Sequence, residues 1–180
     1  TGSSGPQEAA VRLAAALGCR SLLVTQAAGS LRPSLPPGSW MSASDVISFP
    51  FRAVACAPRA GGGPLISEKM RARVAAAARE AGVPVRDGIL FWTPGPNYET
   101  RAESMMMEAA GADAVTMSPI PELAAARGLG MRASTLSWIT NHTANVDPGG
   151  SGHESVVAMG RRGRGMLRAI LEKLSAGRPE

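Results

Sequence analysis

The stretch Gly88-Ile89-Leu90-Phe91-Trp92, followed two residues later by Gly95-Pro96-Asn97-Tyr98-Glu99-Thr100-Arg101-Ala102-Glu103, decides how this chain reads. The first part is a short apolar run of the kind found in a strand buried on both faces. A Gly-Pro turn stands at its carboxyl end, and residues 104–110 then read as a helix. In open α/β sheets, ligands bind outside the carboxyl ends of strands. A ring could stack on Tyr98 while Glu99 accepts hydrogen bonds from its edge. The plainer alternative is a βα loop in which Glu99 only stabilises the following helix through its macrodipole.

Outward from that stretch, strand and helix patterns alternate. Residues 7–17 place Ala10, Val11, Leu13, Ala14 and Leu17 at helical spacing, and Gly18 is a plausible stop. Residues 21–25 predict a short buried strand running into Gln26-Ala27-Ala28-Gly29-Ser30, a small-residue turn whose backbone N–H groups could approach an anion. Residues 40–47 predict a further strand. Residues 48–64 read as irregular and mobile around Gly61, Gly62 and Gly63. Ser67 is a candidate N-cap for a helix over 67–81, and a strand over 83–92 leads into the opening motif.

Beyond the helix at 101–110, residues 114–117 predict a strand. Residues 121–127 predict a helix with Pro121 in its first turn. Residues 130–139 predict a strand ending in Thr140-Asn141-His142-Thr143. A Pro/Gly loop over 145–152 precedes one long terminal helix over 154–175, interrupted by glycines. This alternation predicts an α/β fold with a mixed, largely parallel central sheet flanked by helices. Glu99, Ser118 and Asn141 each follow a predicted strand. Because the carboxyl ends of parallel strands face one side, these residues are expected to line one cleft.

The composition limits the function. The 180 residues are 44% hydrophobic, enough for one domain with a sizeable core, and with aromatics at 4% the aliphatics and nine Met must fill it. The expected division is a flexible segment over 1–6 and a single domain over 7–180. Net charge is +5, and Lys69 and Lys173 are the only lysines, so Arg supplies 17 of the 19 basic residues. Arg161, Arg162, Arg164 and Arg168 form the one cluster, with no aromatic to stack a base, which argues for a solvated helix face and against nucleic acid. Cys19 and Cys56 fit no metal pattern, so no metal site is expected. There is no apolar run of 18 residues and no charged-then-apolar leader, so no membrane partner is expected and the cytoplasm is the default location.

Six segments now carry a resemblance. They are Gln26-Ala27-Ala28-Gly29, Gly95-Pro96-Asn97-Tyr98-Glu99-Thr100, Gly111-Ala112-Asp113-Ala114-Val115-Thr116-Met117-Ser118, Pro121-Glu122, Ser137-Trp138-Ile139-Thr140-Asn141 and Gly152-His153-Glu154. In this order and at these spacings the chain resembles the trimeric purine nucleoside phosphorylase family. The resemblance implies phosphorolysis of 6-oxopurine nucleosides such as inosine and guanosine to free base and ribose 1-phosphate. Phosphate is then the co-substrate, no cofactor is needed, and the assembly is a homotrimer.

The implied roles suit the side chains. Glu99 and Asn141 would be the catalytic pair: Glu99 accepts from the pyrimidine edge of the base, and Asn141 hydrogen-bonds around N7 and O6 as the base departs. Val115, Ala28 and Gly29 would complete the base site. Tyr98 would pack against base or sugar, and its alternative is a core aromatic with a wet hydroxyl. Met117 would lie under the ribose, or simply fill core. His153 would bond the ribose 5′-hydroxyl; without the resemblance it is a surface residue near a helix start. Ser118 and the Ala27 N–H would hold part of the phosphate.

The chain also departs from that family. The family's N-terminal third carries a Gly/Ser phosphate loop and an Arg-x-His segment, and neither is matched here. Thr1-Gly2-Ser3-Ser4-Gly5 resembles such a loop only superficially. Residues 61–66 stand where family members have a longer insertion with an aromatic covering a neighbour's sugar; Phe49 and Phe51 are the candidates for that cover. Three readings therefore stay open: a piece of a longer phosphorylase, a nucleoside- or purine-binding protein without turnover, and a nucleoside hydrolase.

Overall fold

Local side-chain chemistry starts the central helices. The computed structural model describes residues 6–48, 64–148 and 153–177. Helix α1 (Pro6–Ala16) precedes β1 (Ser21–Ser30) and β2 (Trp40–Ile47). Helix α2 (Glu68–Glu80) is capped by Ser67, whose hydroxyl accepts from the Met70 N–H. Strand β3 (Val85–Trp92) leads to α3 (Arg101–Ala109). There Thr100 and Glu103 form a reciprocal capping box, each side chain accepting from the other's backbone N–H. Strand β4 (Ala114–Thr116), helix α4 (Ile120–Gly128) with a proline in its first turn, and strand β5 (Arg132–His142) follow. The chain closes with α5 (His153–Arg162) and α6 (Arg164–Ala176).

The five strands close on themselves in the order β1-β4-β3-β2-β5. Strands β1 and β5 pair in parallel from Ser21↔Arg132 to Ser30↔His142. Strand β3 is parallel to both β2 and β4. The two sets meet head to tail: β1 against β4 at Gly29↔Val115 and Ser30↔Ala114, and β2 against β5 at Trp40↔Trp138 and Met41↔Ser137. The sheet is thus mixed and largely parallel, as the alternation predicts. The simpler expectation, that all carboxyl ends share one side, is corrected, because β1 and β5 run opposite to β2, β3 and β4.

Two other expectations change. Gln26-Ala27-Ala28-Gly29-Ser30 is not a turn but the second half of β1, held in strand geometry by β5. The single terminal helix is two, broken at Gly163. A Cβ on Gly163 would lie 2.8 Å from the Trp138 ring, so the chain comes too close to the sheet there for any side chain. The expected mobile glycines at 61–63, the cover candidates Phe49 and Phe51, and Cys56 all lie outside the described residues.

Helices cover both faces. On one side α1 and α4 pack over Met41, Leu90, Leu123 and Ile139. On the other, α2, α5 and α6 cover Val74, Leu136 and Ile170, with Trp40 and Trp138 at 4.8 Å between ring centroids. Leu31, Phe91, Met107 and Val115 form a third cluster beneath α3. That third cluster sits directly behind the short β1–β4 seam, where the site forms.

Candidate functional site

The seam between β1 and β4 pairs only two residues, after which β4 ends and the chain turns away. A cavity of about 260 Å³ opens there, just below the roughly 300–1,000 Å³ of typical small-molecule sites. Its floor is the β1 run Gln26 to Gly29, and its far wall is the end of β5. The third wall is the pair of loops that leave β3 and β4.

The loop after β3 is set by two contacts. Gly95 has φ +68°, a backbone conformation that favours glycine, and the Met117 side chain packs against it where a Cβ would stand. Trp92 Nε1 donates to the Met117 carbonyl at 3.1 Å and ties the end of β3 to the loop after β4. Glu99 lines the cavity and is its one charged side chain among the described residues. It does not cap α3, since Thr100 and Glu103 serve that end. Instead Thr93 Oγ1 donates to Glu99 Oε1 at 3.0 Å, which holds the carboxylate from behind and leaves Oε2 for a ligand. Tyr98 stands at the mouth, 55% exposed, with Met117 beside it at 37%.

The loop after β4 starts from Thr116. Its hydroxyl donates to the Ala27 carbonyl at 3.0 Å and accepts from the Ser118 N–H at 3.3 Å. One side chain thus continues the seam after the backbone ladder has stopped. The two-residue ladder brings Val115 against Gly29, and the Thr116 bond brings the start of the next loop against Ala27.

At the β5 wall the pairing slips by one residue between Ala28↔Ile139 and Gly29↔Asn141. Bulges of this kind re-aim side chains beside active sites. Asn141 Nδ2 donates to the His142 carbonyl at 2.9 Å, and Asn141 Oδ1 accepts from Thr140 Oγ1 at 2.9 Å. Thr143 Oγ1 donates to the Ser30 carbonyl at 2.9 Å and also contacts Asn145 Oδ1. Asn145 in turn donates to Glu108 at 2.8 Å, and Arg32 pairs with Glu108 at 3.1 Å and with Asp113 at 3.4 Å. These partly exposed ion pairs add little stability. They do tie α3 to the ends of β1 and β5, behind the cavity wall.

The structure therefore gathers Ala27, Ala28, Gly29, Tyr98, Glu99, Val115, Met117, Ser118 and Asn141 around one space. His153, the remaining sequence candidate, opens α5, but its side chain lies outside the described residues. Sequence reasoning passed over Gln26, Thr116, Thr140, Thr143 and Val156, which also line the cavity. Gln26, Thr116 and Thr140 sit inside the motif segments, so their place beside named residues was the available signal. Gln26 Nε2 donates to Ser137 Oγ at 2.8 Å, while its Oε1 is buried without a protein partner among the described residues. No group of His, Cys, Asp and Glu among the described residues is arranged to hold a metal. Likewise no helix is long and apolar enough to cross a membrane among them.

Chemically, the cavity offers a carboxylate acceptor on one wall, an amide on another and an exposed aromatic at the mouth. Its small-residue floor lets a flat ligand lie close to the backbone of β1.

Comparison with known proteins shows the family of the chain. Residues 1–176 match the family model described as the phosphorylase superfamily. The chain is 34% identical over 165 residues to purine nucleoside phosphorylase 1 of Geobacillus stearothermophilus, covering 82% of this chain and 57% of that protein. It is 32% identical over 167 residues to the purine nucleoside phosphorylase of Mycobacterium tuberculosis, covering 92% of this chain and 61% of that one. The chain thus spans well under two thirds of the length of these curated relatives. Among solved structures, Schistosoma mansoni purine nucleoside phosphorylase in complex with inosine superposes with a TM-score of 0.85 at 29% identity, covering 96% of this chain and 66% of that one. The methylthioadenosine phosphorylase of the same organism, in complex with adenine, shares the fold with a TM-score of 0.83 at 24% identity.

Proposed function

This chain belongs to the phosphorylase superfamily, with purine nucleoside phosphorylases among its relatives, and from that premise we propose that its cavity binds a 6-oxopurine nucleoside and cleaves it by phosphorolysis. The observation that carries the proposal is that Glu99, from the loop after β3, and Asn141, from the end of β5, share one cavity although their strands run in opposite directions. A carboxylate acceptor and an amide that both donates and accepts suit the two edges of such a base.

In the proposed reaction, a phosphate oxygen bonds to the ribose C1′ as the bond from C1′ to the base nitrogen breaks. The base leaves with the electron pair. Negative charge builds on the purine in the transition state, and a contact that strengthens there lowers the barrier. Asn141 is the group placed to meet that charge around N7 and O6, and Glu99 receives the N–H groups of the opposite edge. Val115, Ala28 and Gly29 form the surface against the ring, Tyr98 and Met117 flank the sugar, and His153, at the start of α5, is the residue proposed for its 5′-hydroxyl. The Ala27 N–H and Ser118 contact phosphate, beside the N-terminus of α4, where the macrodipole favours an anion. Self-association as a trimer is part of the proposal, and Met105 and Met106, 53% and 45% exposed on α3, are apolar groups that such an interface could cover.

The test is to incubate purified protein with inosine or guanosine, with and without phosphate, and follow free base. Phosphate-dependent release is the expected result. Asn141→Asp is expected to weaken 6-oxopurine binding and to lower turnover about 10²–10³-fold, the typical loss for one donor facing developing charge. Neither turnover nor binding of nucleoside or base would overturn the proposal.

A second reading, a nucleoside-binding protein without turnover, is favoured by one observation. Among the described residues no Arg, Lys or His side chain lines the cavity, whereas phosphate sites ordinarily use Arg or several N–H groups. Binding of hypoxanthine or guanine without base release identifies this second case. Release that ignores phosphate identifies hydrolysis instead.

A further inference from the structure

The first half of β1 is an open edge. Among the described residues β1 meets β4 only at Gly29 and Ser30, so Ser21 to Ala28 has a strand on the β5 side alone. Three hydrogen bonds show which of its backbone groups face outward. The Arg132 N–H donates to the Arg20 carbonyl at 3.0 Å, and Thr140 Oγ1, also of β5, donates to the Ala28 carbonyl at 3.3 Å. The Ala27 carbonyl instead receives the Thr116 hydroxyl from the β4 side. Backbone groups alternate along a strand, so Leu22 and Val24 turn toward β5, while Ser21, Leu23 and Thr25 turn their N–H and C=O groups outward. Thr25 is exposed, and Ser21 and Leu23 are half-buried. Native sheets blunt such an edge with charge, proline or a bulge. Ser21 to Thr25 carries no charge and no proline, and the bulge against β5 comes only after Ala28.

We propose that this edge pairs with the same edge of a second copy of the chain, antiparallel and centred on Leu23. The edge is its own complement: Ser21-Leu22-Leu23-Val24-Thr25 reads polar, apolar, apolar, apolar, polar in both directions. In that register Leu23 faces Leu23 of the other copy and Ser21 faces Thr25, each pair exchanging both backbone bonds. Leu22 faces Val24 in the closer positions between them, on the opposite face of the sheet. On the Leu23 face, a groove of about 710 Å³ runs beside the edge, with Met70, Leu167, Leu171 and Leu174 in its lining and Leu171 41% exposed. On the other face, Leu22 and Val24 are only partly buried against the cluster that holds Val11. A two-fold contact removes apolar surface from water on both faces at once. Ala27 lies beyond the paired residues, so the cavity stays open. Helix α3 takes no part, which separates this contact from the proposed trimer.

The experiment is sedimentation of the full chain over a range of concentrations, with amide hydrogen exchange followed at Leu23 and Thr25. The wild type is expected to dimerise reversibly, and those two amides to exchange more slowly as concentration rises. Thr25→Pro deletes an outward N–H that β5 does not use. It is expected to weaken association about thirtyfold, the worth of two net hydrogen bonds, one in each copy. Thr25→Lys, which puts a charge on the edge at an exposed position, is expected to weaken it too. Thr25→Val keeps the backbone groups and is expected to associate as the wild type does. Circular dichroism checks the fold of each variant, and Thr25→Lys decides if Thr25→Pro does not fold. A wild type that stays monomeric overturns the inference, and so does association that Thr25→Lys leaves undiminished. A trimer whose Leu23 and Thr25 amides exchange at one rate at every concentration overturns it as well, and leaves the proposed trimer standing.

Discussion

Strand β1 has two very different sides. Toward β5 it is paired along its whole length, from Ser21 to Ser30, with one bulge. Toward β4 it pairs at Gly29 and Ser30 alone, and a threonine hydroxyl extends the contact to Ala27. The continuous side carries the architecture, with Leu136 and Ile139 of β5 wholly buried on its two faces. The interrupted side leaves backbone groups and small side chains uncovered, and there the cavity opens. A sheet in which every strand edge was paired would have no backbone to offer a ligand at this place.

Breaking the continuous side is expected to have the largest effect. Leu136→Ala removes a side chain with no solvent exposure from the cluster it shares with Val74 and Ile170, and should cost about 2–5 kcal/mol in denaturant unfolding. Purine affinity of the protein that remains folded should change little; a loss of affinity as large as the loss of stability would show that the two sides are not separable.

Breaking the interrupted side is expected to do the reverse. Thr116→Val keeps the shape of the side chain but removes the donor to Ala27 and the acceptor for Ser118. Stability should fall by about 1 kcal/mol. Hydrogen exchange at the Ser118 amide should accelerate, and phosphate-dependent turnover should fall further than affinity for the free base. Equal losses in both would mean that this seam holds the whole cavity and not its phosphate end.

The smallest effect is expected at the start of α3. The Thr100 backbone N–H, and after it the Thr100 hydroxyl, hold the Glu103 carboxyl below the usual carboxylate range of roughly 4.3. Because the folded value is the lower one, the capping interaction is fully present above the unfolded pKa and is lost as pH falls through the folded value. A carboxyl titration of Glu103 by nuclear magnetic resonance should show the depressed midpoint, and Thr100→Ala, which removes the hydroxyl and keeps the backbone N–H, should raise it only part of the way to the ordinary range. Neither side of β1 should respond, which makes this change a control for the other two.

Much of this was legible along the chain because it depends on near neighbours. Ser67, Pro121 and the apolar run before Trp92 each specify local geometry through a cap, a fixed φ or burial on both faces, and the elements lie where those signals stand. The candidate site was legible because its residues are concentrated in a few motif segments. The departures all come from distant contacts. Gln26 to Ser30 carries small residues that suit a turn, yet β5 supplies a ladder that keeps it extended. The terminal helix is split at Gly163, where the Trp138 ring, 25 residues earlier, leaves no room for a Cβ. Thr140 passed unnoticed because a bulge is a property of two paired strands and leaves no mark in one of them.

By itself, then, the sequence determined most of the order and kind of the elements, the α/β class, and which segments carry the carboxylate, the amide and the aromatic. Those properties follow from caps, periodicity and turn residues acting over a few positions. Only the tertiary structure decided that β1 and β5 run against the other three strands, and that β1 is left unpaired just past a two-residue seam. It also decided that a one-residue slip turns Thr140 and Asn141 into the same space as Glu99. Strand direction and register are settled by which backbone groups find partners across the sheet, and no residue carries that information alone.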